Sequence, residues 1–144
     1  FIFRKDDLRF QDFQDSFQER FKEMLSDPEL RMINRNRGSG TRVLIDGLLG
    51  KHQPQGFLYE AKSHQAVAAA VAQSRADWGV AIRSVAEDQG LGFIPLQDEE
   101  YDFIIPESRL QKPAVQALIG LLDEKPIIER LEQMGLIRNP GKDR

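Results

Sequence analysis

Apolar residues recur at Phe10, Phe13, Phe17, Phe21 and Leu25, three or four positions apart, with Asp, Gln, Glu, Arg and Lys between them. That period draws one apolar stripe along an amphipathic helix, expected to face the core rather than a cofactor. The helix is predicted to end near Ser26-Asp27-Pro28, because proline disfavours helical geometry in the residue before it. Met32-Ile33 then reads as a short buried strand, and Val43 to Leu49 as a helix with Gly50 at its C-cap. Lys51 to Gly56 reads as a loop, and Phe57-Leu58-Tyr59 as a short strand. Ser63 to Ala72 is the clearest helix signal: alanine favours the conformation and Ser63 is a natural N-cap. Trp78 to Ile82 has the apolar character of a buried parallel strand. Arg83 to Gln89 is a short helix closed by Gly90, and Phe93 to Leu96 and Tyr101 to Ile105 are two more strands. Pro113 to Leu122 and Pro126 to Met134 are amphipathic helices with proline at a tolerated N-terminal position, and the Asn139-Pro140-Gly141 tail is expected to fray.

Strands alternating with helices of these lengths predict an α/β layer with a mostly parallel sheet flanked by helices. In such sheets ligands sit beyond the carboxyl ends of the strands, near helix N-termini. The segment Asn34-Arg35-Asn36-Arg37-Gly38-Ser39-Gly40-Thr41-Arg42 stands at one such handover from strand to helix. Two glycines let backbone N–H groups turn inward, Ser39 and Thr41 add hydroxyls, and Arg35, Arg37 and Arg42 add positive charge beside a helix N-terminus. Ser and Thr capping a helix would account for the hydroxyls alone; a plain cap needs no arginines. The Walker spacing and its lysine are missing, which argues against a nucleotide P-loop. Ser63 and His64 stand at a second helix start and could supply a hydroxyl and an imidazole to the same crevice. The Asp98-Glu99-Glu100 run reads as a solvated turn, and Tyr101 beside it as a residue lining the crevice.

Composition narrows the chemistry. The 144 residues are one domain's worth of chain, with 40% hydrophobic and 30% charged residues, ordinary for a globular protein. A net charge of -3 gives no reason to expect a nucleic-acid or membrane surface. The arginines gathered near the turn against this acidic whole point to a small anionic ligand. There is no cysteine, and two histidines do not make a structural zinc site, so no metal site or cofactor is expected. No run is long enough for a membrane span, and the opening Phe1-Ile2-Phe3-Arg4-Lys5-Asp6 has no signal-peptide pattern. A cytoplasmic location is expected, with the periplasm left open. The chain opens without methionine, as would a processed form or a piece of something longer.

The Asn34-to-Arg42 turn followed by Leu44-Ile45-Asp46 resembles the substrate-binding-protein-like domain related to periplasmic molybdate-binding proteins. Ser63-His64-Gln65-Ala66-Val67-Ala68-Ala69-Ala70-Val71-Ala72 and Ala76-Asp77-Trp78-Gly79-Val80-Ala81-Ile82 match in the same order. So do Gly90-Leu91-Gly92-Phe93-Ile94-Pro95-Leu96 and Glu99-Glu100-Tyr101-Asp102-Phe103. The likeness covers roughly residues 30 to 106. It implies a type II periplasmic-binding-protein fold, two α/β lobes closing on a ligand at their hinge, of the kind attached to helix-turn-helix or molybdopterin-biosynthesis proteins. The chain departs from that pattern where most of a first lobe should precede residues 1–30, so a truncated first lobe is expected. A homodimer, or a partner supplying the missing lobe, would cover the surface left open.

The resulting expectation is a single domain over 1–144, with C-terminal helices at 113–134, that binds and senses without catalysis. Its ligand is expected to be a tetrahedral oxyanion, molybdate or tungstate first, held by Arg37, Gly38, Ser39, Gly40, Thr41 and Arg42, with Ser63, His64 and Tyr101 nearby. On this reading, replacing Arg37 and Arg42 by Ala removes binding and barely changes ligand-free melting. Two alternatives stand beside it: a regulatory module for a small organic anion such as a pterin, and an enzyme or accessory of molybdenum-cofactor assembly using His64 as acid or base.

Overall fold

A computed structural model describes residues 1–13, 15–99 and 102–137. The chain divides into two compact units, Phe1–Gln97 and Asp98–Arg144. The first is built on five short strands: β1 (Ile2–Phe3), β2 (Met32–Arg35), β3 (Glu60–Ala61), β4 (Trp78–Gly79) and β5 (Gly92–Phe93), in the order β3-β2-β4-β1-β5. β2 pairs in parallel with β3 and β4, whereas β1 lies antiparallel between β4 and β5. The sheet is therefore mixed, not mostly parallel, because the opening residues insert between two strands that follow much later. Bonds beyond the strand ends lengthen the ladders, among them Asn34 N–H to Tyr59 O at 2.8 Å and Asn36 N–H to Ala61 O at 3.0 Å.

Side chains alternate between the faces of a strand, and here the two faces carry separate cores. Met32 and Trp78 point to one face with Phe1, Phe10, Phe13 and Phe21. This face is covered by α1 (Phe17–Met24) and by α2 (Gly40–Leu49), whose Ile45 and Leu49 join that core. Ile2, Ile33 and Ala61 point to the other face. There they meet Val67, Ala68 and Val71 of α3 (His64–Ala72) and Val85 and Ala86 of α4 (Arg83–Asp88). The sheet is flanked by helices on both sides.

The phenylalanine stripe is core, but it does not lie on one helix. Leu8–Phe10 is a 3-10 turn, Asp12 takes a left-handed φ of 56°, and the α-helix starts only at Phe17. Phe10, Phe13, Phe17, Phe21 and Trp78 pack as rings around Phe1, which stacks on Trp78 at 5.4 Å between centroids. Ring packing, not helical regularity, accounts for the spacing. The third strand begins at Glu60 instead of Phe57, because Gly56 at φ +85° sets a turn closed by Tyr59 N–H to Gly56 O at 2.8 Å. A Cβ at Gly56 would lie 2.1 Å from the Met32 carbonyl oxygen, so only glycine fits there.

In the second unit, α5 (Pro113–Leu122) starts on its proline and α6 (Lys125–Gln133) has Pro126 in its first turn. Residues 102–105 form no strand, contrary to the expectation for Tyr101 to Ile105, and Phe103 and Ile104 are exposed. Their apolar character is not matched by any neighbouring ladder among the described residues. Tyr101 and the Asn139-Pro140-Gly141 tail lie outside the described residues. No described helix is long and apolar enough to cross a membrane.

Candidate functional site

β2 and β3 end side by side, with Arg35 opposite Ala61. From the end of β2 the chain crosses to the first face and enters α2; from the end of β3 it crosses to the second face and enters α3. Adjacent parallel strands whose connections leave to opposite faces part at their carboxyl edge and open a crevice between two helix starts. Two of the predicted groups, the Gly-Ser-Gly-Thr turn and Ser63-His64, therefore meet at one edge of the sheet.

The turn has the local chemistry its residues suggest. Gly38 adopts φ +86°, in the left-handed region that glycine tolerates. Ser39 caps α2: its Oγ accepts from Arg42 N–H at 3.2 Å and donates to Asn36 O at 3.0 Å. Among the described residues, no acceptor meets the N–H groups of Gly38, Gly40 or Thr41. Thr41 itself is buried. At the second helix start, Ser63 Oγ accepts from Ala66 N–H at 3.1 Å, and His64 is the half-buried first residue of α3.

The arginines have three different fates. Arg42 is buried, and its guanidinium is taken up by the protein. Nε donates to Asp46 Oδ1 at 2.7 Å, while Nη1 donates to Glu60 Oε1 at 2.8 Å and to the Arg35 carbonyl at 3.0 Å. Its flat group also lies 5.0 Å over the Phe57 ring. Burial would lower its pKa, but the bonds from Asp46 and Glu60 more than compensate and hold it above the ordinary arginine value. Arg42 thus ties α2 to the ends of β2 and β3, so its removal would not leave ligand-free melting unchanged. Arg37 stands at the rim, 79% exposed, with Nε 3.7 Å from Glu60 Oε1.

The sequence presents Arg35 only as one of the charges of the turn, yet it is the most enclosed basic group at this edge after Arg42. It is 8% exposed, and its buried Nε and Nη1 have no hydrogen-bond partner among the described residues. The signal that could have found it is the alternation of β2. Had the strand been extended two residues past Ile33, Arg35 would have fallen on the inward side with it.

Other nearby chemistry is plain. An open cleft of about 410 Å³ on the α2 side is lined by Arg37, Asp46, Leu49, His52, Gln53 and Phe57, among others. His52 Nδ1 lies 3.1 Å from Leu49 O, which accounts for its position in the loop. Among the described residues no three His, Cys, Asp or Glu side chains gather in a way that could hold a metal ion.

The description of a PBP superfamily domain matches residues 18–123, from the start of α1 to the residue after α5. The chain belongs to the PBP superfamily. As a PBP superfamily member it is 35% identical over 109 residues to the uncharacterized protein YvgK of Bacillus subtilis (strain 168), covering 72% of this chain and 35% of YvgK. It is 31% identical over 81 residues to an uncharacterized protein in the ferredoxin 2Fe-2S gene 5' region of Clostridium pasteurianum, covering 56% of this chain and 72% of that protein. The chain thus spans about a third of the length of YvgK. No solved structure matches it. A PBP superfamily domain supports a binding role, and the α/β architecture with its flanked five-stranded sheet is consistent with that family.

Proposed function

We propose that this domain is a non-catalytic binding and sensing module for a small tetrahedral oxyanion, with molybdate or tungstate as the first candidates. The anion is held where α2 and α3 begin. The observation that carries this reading is the unspent set of N–H donors at Gly38, Gly40 and Thr41, beside the second helix start at Ser63. Helix N-termini favour negative charge by roughly 0.3–1 kcal/mol each at exposed sites. Hydrogen bonds to a charged partner contribute roughly 1.5–3 kcal/mol each, though not additively. These are sufficient for a dianion at micromolar strength. Gly38, Ser39, Gly40, Thr41, Ser63 and His64 are the residues expected to surround it, with Arg37 at the rim and Arg42 holding the two strand ends in place. Binding would bias a hinge or an assembly, a homodimer or a partner contributing a further lobe, which an attached regulator reads.

Calorimetric titration with molybdate, tungstate, sulfate and phosphate tests the proposal. Folded protein that gives no heat with any of the four defeats it. A second reading draws on the cleft beside α2, whose 410 Å³ exceeds what a bare tetraoxyanion fills and whose wall includes the Phe57 ring. A flat organic anion such as a pterin, carrying its charge toward Arg37, suits that space. Saturable binding of the pterin with silence toward the inorganic anions would favour it. An enzymatic role through His64 in molybdenum-cofactor assembly ranks last, because the hydroxyl beside it, Ser63 Oγ, is used as the cap of α3. Turnover lost on His64→Gln with binding kept would revive it.

A further inference from the structure

We infer that Arg35 is the group that meets the ligand's negative charge, and that the anion lies on the α3 side of the sheet, under the first turn of that helix. This rests on the oxyanion reading above and narrows it from a ring of neutral donors to a site organised around one buried guanidinium.

Direction comes from the strand. Ile33 faces α3, since a Cβ at Gly79 would lie 2.6 Å from Val67 Cγ1 and 3.0 Å from Ile33 Cγ2. Arg35 is two residues further along β2, so its side chain leaves the same face, about 6.6 Å nearer the carboxyl edge. α3 runs back from that edge toward the start of β4. His64, three residues before Val67, therefore lies about 4.5 Å nearer the same edge. The buried guanidinium and the start of α3 occupy one level of the fold.

Charge supplies the second half of the argument. A guanidinium carries its charge into a protein interior. A buried guanidinium left without a counterion is among the costlier features a fold can carry. No described carboxylate lies within ion-pairing distance of Arg35, and Glu60, on the strand beside it, is engaged by Arg42 on the opposite face. The Asn34 Oδ1 atom is taken by Arg35's own backbone N–H at 2.9 Å. The position is doubly unusual, because a helix N-terminus repels a cation. A small oxyanion between them satisfies both: it accepts from the guanidinium on one side and from the first-turn donors of α3 on the other. The anion is either inorganic or the phosphate end of a small organic molecule.

The test pairs Arg35→Met with Arg35→Lys in thermal melting and calorimetry against molybdate, tungstate, sulfate, phosphate and phenyl phosphate. Wild-type protein should bind at least one of the five. R35M should weaken that binding at least about tenfold while its ligand-free melting temperature equals or exceeds that of the wild type, since an uncompensated charge has been removed. R35K keeps the charge but not the planar fork, and should bind about tenfold more weakly with melting little changed; it carries the test alone if R35M does not fold. Binding by phenyl phosphate without inorganic phosphate identifies an organic source, and the converse an inorganic one. Variants that bind within threefold of the wild type overturn the role of Arg35 and leave the oxyanion reading standing. Wild-type protein silent to all five overturns both.

Discussion

Arg42 and Arg35 are seven residues apart and differ in the one respect that decides their roles. Arg42 has Asp46 one helical turn ahead and Glu60 on the neighbouring strand, so its charge is met inside the chain. Replacing it by Ala leaves Glu60 and the Arg35 carbonyl without their donor. With Glu60 one-third exposed, the loss should be about 2 kcal/mol in ligand-free denaturant unfolding. The cluster of arginines was legible in the sequence, though the pairing of Arg42 with Asp46 was not expected there. Glu60 was not, because its place beside Arg42 depends on a strand register that local pattern does not encode.

A second charged group operates far from the crevice. Asp7 and Asp77 are shared by Arg4 and Arg9, with contacts of 2.6 to 3.1 Å, and Asp77 also accepts from Arg31 N–H at 2.8 Å. The hydrogen bond from Arg9 holds Asp7 below its ordinary pKa. Burial would raise that of Asp77, but the Arg31 amide with Arg9 and Arg4 brings it below the usual value as well. Folded carboxyls with lowered pKa values stabilise fully above the unfolded value of 3.8 and lose that contribution as pH falls through the folded values. Stability by urea denaturation should therefore be flat from pH 7 to about 5 in this respect and fall steeply below about 4. Asp77→Asn should cost roughly 1–3 kcal/mol at pH 7 and flatten that acid limb.

Among the elements, α3 shows best how sequence sets position. Its alanines let it lie close on the sheet, and the approach is tightest at Gly79, where Val67 leaves no room for a methyl group. Gly79→Ala should wedge the helix away and cost about 1–3 kcal/mol in unfolding free energy, since Val67 has little rotamer freedom in a helix. Anion binding should weaken with it if the start of α3 holds the ligand. This helix was legible almost to the residue, and α2 at its C-terminal end, because Ser63 and Gly50 act locally; α2 begins at Gly40, ahead of the expected Val43. Strands of two residues were not, since pairing partners far along the chain fix them. Phe10 to Phe17 imitated a helix for a related reason: rings converging on Phe1 from turns can share the spacing of rings along a helix.

At the scale of the molecule, both cores draw, among the described residues, on residues 1 to 96. A chain cut after Gln97 should therefore still melt as one cooperative transition, with far-UV and near-UV signals coinciding; a broad melt without near-UV signal would contradict this. The alternation of strands and helices made the α/β class readable from sequence. The reversed strand in the middle of the sheet was not, because nothing in Phe1-Ile2-Phe3 states its direction.

That strand also imposes an order of events. β2, β3 and β4 join through single intervening helices, whereas Ile2 must find Gly79 and Phe93 from the opposite end of the first unit. Closing so long a loop is slow compared with local pairing. Refolding should cross its barrier with β2, β3 and β4 already paired, and the opening segment should slide in afterwards and lock β5 to the rest. Ile2→Ala should accordingly hasten unfolding more than it delays folding, and a stopped-flow chevron would record the asymmetry.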